Sequence, residues 1–205
     1  EERVSGATWF YRIKDPEEQV RVARDFIENL AALHRLDPAD LELPSLSHVK
    51  TAGDFVLDEI AQMRRRATDA DGAIEPLTRL CLDWLERNLP AYDGPLVLVQ
   101  GDTGPGNFMY EDGKVTAVVD WELAHLGDPM DDIAWLSLRT VQDTFTHFPD
   151  RLREYEALSG HTIDLERVWY YRLFAELRLS SNGFGGGPAA VDVDREVPLG
   201  GEGGN

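Results

Sequence analysis

One short stretch restricts the fold of this chain more than any other. Asp112-Gly113 is a strong two-residue turn signal between two strand-like runs. A turn of this kind joins two antiparallel strands whose pairing starts at the turn. The sequence therefore predicts a β-hairpin that brings together two polar residues on its flanks, Asn107 and Asp120.

The same turn predicts the register and the two faces of the hairpin. It places Asn107 opposite Val118, and side chains alternate between the two faces of a strand. One face is then apolar, with Phe108, Tyr110, Val115, Ala117 and Val119. The other face holds Asn107, Met109, Thr116, Val118 and Asp120. Asn107 and Asp120 become diagonal neighbours with roughly 7–8 Å between their backbones, so both side chains are predicted to reach one ion.

The loop before the hairpin adds a second carboxylate. It reads Gln-Gly-Asp-Thr-Gly-Pro-Gly-Asn over residues 100–107, so that Asp102 precedes Asn107 by five positions. Amide and carboxylate oxygens suit Mg²⁺, and Asp102 is placed to accept a hydrogen bond from a hydroxyl group. An acid, an amide and a second acid in this order are typical of phosphoryl-transfer sites. Taken singly, Asp102 or Asn107 is equally well explained as a turn residue in a Gly-rich loop.

The rest of the chain predicts a mainly helical α+β fold. Helices are expected over 15–36, 54–67, from residue 76 to about 89, 128–139, 149–158 and 164–180, with a short buried strand at 96–99. In the third helix the apolar stripe is predicted to be Leu77, Leu80, Cys81, Trp84, Leu85 and Leu89. The Gly-rich segment 183–205 is predicted to be a loop or disordered.

Composition excludes several classes of partner. The net charge is −18, from 38 acidic and 20 basic residues, whereas nucleic acids and anionic membranes require a basic surface. No apolar run is long enough to span a bilayer. The single cysteine excludes an internal disulfide and favours a reducing, cytoplasmic location. A small cationic or polyhydroxylated substrate remains compatible with this charge.

The motifs together resemble the aminoglycoside phosphotransferase and choline kinase type of kinase-like fold. That family has His-Gly-Asp-x-x-x-x-Asn, a hairpin, Ile-Asp-Trp, and then Gly-Asp-Pro followed by a helix with another Asp. The matching segments here are 100–107, 119–122 and 127–129, with Asp132 in the helix. The run 120–129, Asp-Trp-Glu-Leu-Ala-His-Leu-Gly-Asp-Pro, is most similar to the branch found fused to acyl-CoA dehydrogenases.

The resemblance implies a fold, an activity and a set of roles. The chain would be the C-terminal lobe (15–182) of a protein-kinase-like fold, with residues 1–14 a remnant of the interlobe hinge. The activity would be ATP- and Mg²⁺-dependent O-phosphorylation of a small hydroxylated substrate. Asp102 would be the catalytic base, Asn107 and Asp120 would be the magnesium ligands, and the hinge residues that bind the nucleotide would be Glu2, Arg3 and Val4. Asp128 and Asp132 would be structural residues. His34 and His125 would be either scaffold residues or part of the substrate wall.

Two departures from the family pattern matter. Gln100 replaces the family's histidine, and we expect the change to be tolerated because an amide can also hydrogen-bond the backbone. None of the three lysines follows a Gly-rich strand–turn–strand, so the phosphate-binding lysine is missing. The chain is therefore expected to be the large lobe of a longer kinase and inactive alone. The alternatives are an inactive pseudokinase that binds a ligand, and a metal-dependent hydrolase using Asp102, Asp120 and Asp128. The acceptor and the oligomeric state are not predicted.

Overall fold

A computed structural model describes residues 4–46, 49–142 and 145–181 of the chain. In these ranges the main helices are α1 (Pro16–His34), α2 (Ala52–Ala67), α3 (Pro76–Arg87), α4 (Met130–Gln142), α5 (Phe148–Ser159) and α6 (Leu165–Ser181). The strands are β1 (Val97–Val99), β2 (Phe108–Glu111), β3 (Lys114–Val118) and β4 (His125–Gly127). The predicted α+β, mainly helical architecture is confirmed. The Gly-rich segment 183–205 lies outside the described residues.

Two small antiparallel sheets carry the loop that contains the candidate residues. β1 pairs with β4, with Val97 opposite Gly127, and β2 pairs with β3 to form the predicted hairpin. The loop 100–107 therefore leaves the first sheet and enters the second. Helices α1 and α5 pack against each other, as do α4 and α6. The loop is thus held between a hairpin and a helical body.

Local sequence signals explain where the helices start and stop. The Asp15 carboxylate accepts a hydrogen bond from the Glu17 N–H at 3.0 Å, and Asp128 accepts one from the Met130 N–H at 2.9 Å. Both are helix N-caps that the sequence predicts. Gly160 closes α5 in the left-handed conformation, at φ 79°. Helix α2 begins two residues earlier than predicted because Thr51 and Asp54 form a reciprocal capping box there.

The predicted buried face of α3 is wrong in part. Leu85 is fully buried as predicted, but Leu77 and Leu80 are 64% and 59% exposed, and Leu82, which lies off the predicted stripe, is fully buried instead. This helix has apolar residues around most of its circumference, so 3.6-residue periodicity alone does not select one face. The face is chosen by the packing of α3 against α2 and α6.

The predicted hairpin is present, but its register near the candidate residues is wrong. Phe108 pairs with Val118, and a bulge between Met109 and Tyr110 shifts the pairing by one residue. Asn107 consequently lies opposite Val119, whose N–H donates to the Asn107 carbonyl at 2.9 Å. A one-residue shift exchanges the faces of every residue beyond it, so Val118 joins Phe108 and Ala117 joins Met109. The turn residues predict the hairpin, but they do not predict the bulge.

An aromatic cluster fixes the hairpin on the helical body. The Phe26 ring lies 4.6 Å from the Phe108 ring between centroids, and Phe10 lies 5.1 Å from Phe145. All four side chains are buried, and pairs at these distances contribute about 0.5–1.5 kcal/mol beyond the burial of their surface. The strand that follows Asn107 is therefore anchored at its first residue.

The segment assigned to the hinge lies along the outer part of the hairpin. Glu2 and Arg3 are outside the described residues, and Val4 is 43% exposed. Ala7 and Tyr110 exchange two backbone hydrogen bonds of 2.9 Å. Of the helices in the described residues, none combines the length and the apolar character needed to cross a membrane.

Candidate active site

The loop 100–107 brings Asp102 and Asn107 into direct contact. The Asn107 side-chain nitrogen donates to the Asp102 carboxylate at 2.5 Å and to the Asp102 backbone carbonyl at 2.8 Å. Because the nitrogen is used in this way, the amide oxygen of Asn107 is the atom that can face a cation. The structure thus brings these two predicted residues together, with the amide in an orientation that suits a metal ligand.

Asp120 lies across the hairpin, one residue beyond the partner of Asn107. It is exposed, follows the end of β3 and has a left-handed backbone with φ 63°, which aspartate tolerates better than most residues. Its carbonyl accepts a hydrogen bond from the Gln100 side chain at 2.7 Å. An exposed carboxylate and an amide oxygen form a donor set that fits Mg²⁺.

Gln100 stands where the family that the sequence resembles has a histidine, and it connects the two sides of the site. Its amide nitrogen also donates to the Val119 carbonyl at 3.0 Å, and its oxygen accepts from the Asp102 N–H at 2.9 Å. The expectation that this glutamine hydrogen-bonds the backbone is confirmed. A single side chain therefore fixes the start of the loop 100–107 relative to the residue after β3.

Asp132 of α4 braces the loop 100–107. One carboxylate oxygen accepts from the Gln100 N–H at 2.9 Å and lies 3.0 Å from His34 Nε2. The other oxygen accepts from the Gly101 N–H at 2.9 Å and from the Thr103 hydroxyl. Burial opposes the charge on Asp132, but these hydrogen bonds, led by that of His34, outweigh it and lower its pKa. Asp132 is therefore the buried anion that holds the loop.

The two histidines predicted to lie near the site, His34 and His125, are scaffold residues. His34 is buried, with Nε2 on Asp132 and Nδ1 2.6 Å from the Tyr155 hydroxyl. His125 is buried and stacks on Phe55 with 3.6 Å between ring centroids. Both rings support the loop or the sheet behind it, which is the scaffold role, one of the two roles expected for them.

Gly101 is required by a close approach of two backbones. It has φ 87°, and a Cβ at this position would lie 2.8 Å from the Leu123 carbonyl carbon and closer still to its oxygen. The chain after Asp120 therefore runs directly beneath the residue that precedes Asp102. Only glycine satisfies both the backbone angle and the space.

Asp128 is used structurally. It caps α4 and accepts a hydrogen bond from Arg167 Nη1 at 2.8 Å. Burial raises its pKa to about 6, although the Met130 N–H and Arg167 oppose this effect. Within the ranges that the structure describes, no cluster of three or more His, Cys, Asp or Glu side chains is arranged to hold a metal ion. The contacts of Asp128 therefore argue against a hydrolase that uses it as a metal ligand.

Sequence reasoning missed Arg139. Its Nε donates to one Asp102 carboxylate oxygen at 3.0 Å and its Nη2 donates to the other. Position 139 lies near the end of a predicted helix, where a basic residue is ordinarily explained by the helix dipole. The only sequence signal was its spacing of seven residues from Asp132, which places both on one face of a helix.

A cavity of about 370 Å³ lies beside these residues. Its polar wall comes from Gln100, Thr103, Gly104 and Asn107, and its apolar wall includes Leu30 and Leu33 of α1 together with Trp121. Among the candidate residues, Asn107 lines this concave volume, as ligand-binding residues commonly do, whereas Asp102 and Asp120 are not among its lining residues.

A family model described as "Phosphotransferase enzyme family" matches residues 3–169, which is most of the chain. The chain belongs to the phosphotransferase enzyme family. It is 32% identical over 126 residues to acyl-CoA dehydrogenase family member 11 of Rattus norvegicus, covering 60% of this chain and 16% of that protein. This phosphotransferase-family chain is also 32% identical over 108 residues to acyl-CoA dehydrogenase family member 10 of Mus musculus, covering 52% of this chain and 10% of the relative. The predicted resemblance, including its acyl-CoA dehydrogenase-associated branch, is confirmed.

Solved structures confirm the kinase-like fold. Aminoglycoside-3'-phosphotransferase of type VIII superimposes with a TM-score of 0.63 at 22% identity, covering 86% of this chain and 67% of that one. A thermostable mutant of aminoglycoside phosphotransferase APH(4)-Ia, in a ternary complex with ADP and hygromycin B, gives 0.59 at 20% identity, covering 88% and 62%. At this level of identity the likeness establishes the fold alone.

Proposed function

We propose that this chain is the large lobe of an ATP- and Mg²⁺-dependent O-phosphotransferase that acts on a small hydroxylated molecule. The observation that carries the proposal is the direct contact of Asp102 with Asn107, whose strand partner Val119 directly precedes Asp120, in a chain of the phosphotransferase family. The upstream nucleotide-binding lobe, the contact of Glu2, Arg3 and Val4 with the nucleotide and the cytoplasmic location belong to the same proposal. The complex of APH(4)-Ia with ADP and hygromycin B supports the classes of nucleotide and acceptor.

Each candidate residue has a defined part in the reaction. Asp102 accepts a hydrogen bond from the acceptor hydroxyl and orients its oxygen towards the terminal phosphorus of ATP. The oxygen–phosphorus bond forms as the bond to the bridging oxygen breaks, the electron pair leaves with ADP, and the hydroxyl proton passes to the Asp102 carboxylate. Asn107 and Asp120 would hold Mg²⁺, which neutralises charge on the phosphate oxygens when bound. Positioning is the main contribution of the protein, since such transfers need little covalent assistance.

The proposal is tested with Asp102→Asn in the complete gene product. A panel of small hydroxylated compounds is offered with ATP and Mg²⁺, and ADP release and phosphorylated product are both measured. We expect turnover to fall about 10²- to 10⁴-fold, the usual contribution of a positioned base, while nucleotide affinity stays within twofold. Asp71→Asn, at an exposed loop position, serves as the control.

Three results would contradict the proposal in different ways. Turnover that is unchanged in Asp102→Asn would refute the role of Asp102 as the base. Nucleotide binding without turnover of any compound by the wild-type protein would favour the pseudokinase alternative instead. Phosphate release from a substrate in the absence of ATP would favour the hydrolase.

A further inference from the structure

Arg139 holds both oxygens of the proposed base. Its Nε donates to Asp102 Oδ1 at 3.0 Å, and its Nη2 donates to Asp102 Oδ2. Two parallel bonds from the planar guanidinium fix the plane of a carboxylate as well as its position, which a single donor does not. The side chains are 26% and 15% exposed, so the pair is partly shielded from water. Among the described residues, Asn107, bonded to Oδ2, is the other side chain that orients this carboxylate.

The backbone of the catalytic loop is shaped around this arginine. Gly104 has φ 140°, and a Cβ there would lie 2.9 Å from Arg139 Cβ and 3.0 Å from Arg139 Cγ. Gly106 has φ 100°, and a Cβ there would lie 3.6 Å from Arg139 Nη1. The loop therefore crosses the arginine stem at a distance that leaves no room for a side chain at position 104. This fit goes beyond what an incidental surface ion pair requires.

The arginine and the brace of the loop share one helix face. Asp132 and Arg139 are seven residues apart in α4, which is close to two turns, so their side chains point in the same direction. Asp132 binds the backbone N–H groups of Gln100 and Gly101, and Arg139 binds the side chain of the next residue, Asp102. One rigid helix thus sets both the path of the loop and the orientation of the carboxylate.

We propose that Arg139 is a positioning residue for phosphoryl transfer. This role rests on the proposed function, because it acts through Asp102. The guanidinium keeps the carboxylate in one orientation. Oδ2 accepts from both Arg139 and Asn107, whereas Oδ1 accepts from Arg139 and retains acceptor capacity for the substrate hydroxyl. Among the described side chains, loss of the arginine leaves Asn107 bonded to this carboxylate, which then rotates more freely. A small misplacement of a catalytic group costs about 10²-fold in rate, so the effect belongs in kcat.

The experiment compares Arg139→Met and Arg139→Lys in the complete gene product, with Arg64→Met as a matched control. Arg64 also bonds two carboxylates, Asp83 and Glu86, and is 33% exposed, but it joins α2 to α3 away from the loop. Steady-state turnover is measured with ATP, Mg²⁺ and the acceptor found by the compound panel. We expect Arg139→Met to lower kcat about 10- to 100-fold with the KM for ATP within twofold. Arg139→Lys should lose less, because it keeps the charge without the fork, and Arg64→Met should retain wild-type kcat.

A double variant separates positioning through Asp102 from any independent effect. We expect Arg139→Met to cause no further loss of kcat in the Asp102→Asn background, since residues that act as a unit are non-additive. Losses that multiply in the double variant, or equal losses in Arg139→Met and Arg64→Met, would overturn the role. If Arg139→Met turns over at the wild-type rate, this role alone is overturned. If the wild-type protein itself shows no turnover, the proposed function is overturned as well. Should Arg139→Met fail to fold, Arg139→Lys decides: wild-type kcat in it would refute the need for the fork.

Discussion

Replacing Asp132 by asparagine tests how the loop 100–107 is held. The four donors on this carboxylate divide into two pairs, one pair on each oxygen. Oδ1 binds the Gly101 N–H and the Thr103 hydroxyl, and Oδ2 binds the Gln100 N–H and His34. Asparagine keeps the volume but has one oxygen, so its NH₂ group must face one pair of donors. Asp132→Asn therefore places donors against donors in a fully buried site.

The cost follows from the two hydrogen bonds that are lost. Bonds to a charged group contribute about 1.5–3 kcal/mol each, and His34 recovers one of them if its ring nitrogen becomes an acceptor. The net loss is then that of one bond, about 1.5–3 kcal/mol, concentrated on residues 100–103. Because 1.36 kcal/mol is a factor of ten, opening of the loop becomes roughly 10- to 160-fold more frequent.

Opening of the loop is measured by amide hydrogen exchange. The exchange rate of the peptide 97–108 is followed by mass spectrometry in the complete protein. We expect the amides of Gln100 and Gly101 to exchange faster in Asp132→Asn by the factor given above. Asp131→Asn is the matched control, since Asp131 is equally buried on the same helix but its carboxylate lies against His125, 3.2 Å from Nε2. Exchange of this peptide at the wild-type rate in Asp132→Asn, or equal acceleration in both variants, would refute the bracing role.

Two further substitutions have controls within the same chain. Asp120→Asn should raise the Mg²⁺ concentration for half-maximal turnover on the order of tenfold, because a metal site weakens when it loses a charged ligand; Asp112→Asn, also exposed and at positive φ, should leave it unchanged. An unaltered Mg²⁺ requirement in Asp120→Asn would remove it from the metal site. Gly101→Ala should cost about 3 kcal/mol or more and lower the melting temperature by about 6–12 °C, because Cβ meets the Leu123 backbone. Gly72→Ala shares the positive φ but has open space around it, so about 2–4 °C is expected, and equal shifts would show that backbone strain alone decides.

Local signals predicted the elements, and tertiary packing decided the details that local signals leave open. Proline and capping residues marked the starts of α1, α3 and α4, and Asp112-Gly113 marked the hairpin, because these residues act on their immediate neighbours. The buried face of α3 and the hairpin bulge depend on what lies against them. The contact of Asp102 with Asn107 was within reach of sequence because both lie in one eight-residue loop.

The structural roles of α4 show why part of the site was beyond sequence analysis. The resemblance placed Asp132 in this helix as scaffold, and the structure shows that it binds the loop backbone through two N–H groups. Once one residue of a helix is known to face the loop, helical geometry places residues 135, 136 and 139 on the same side. Arg139 is the charged residue in that set, and Asp102 is the carboxylate in the loop above it. The pairing of Arg139 with Asp102 therefore follows from the sequence once a single tertiary contact is known. That contact joins Asp132 to the loop backbone, and the hydrogen-exchange experiment on Asp132→Asn tests it.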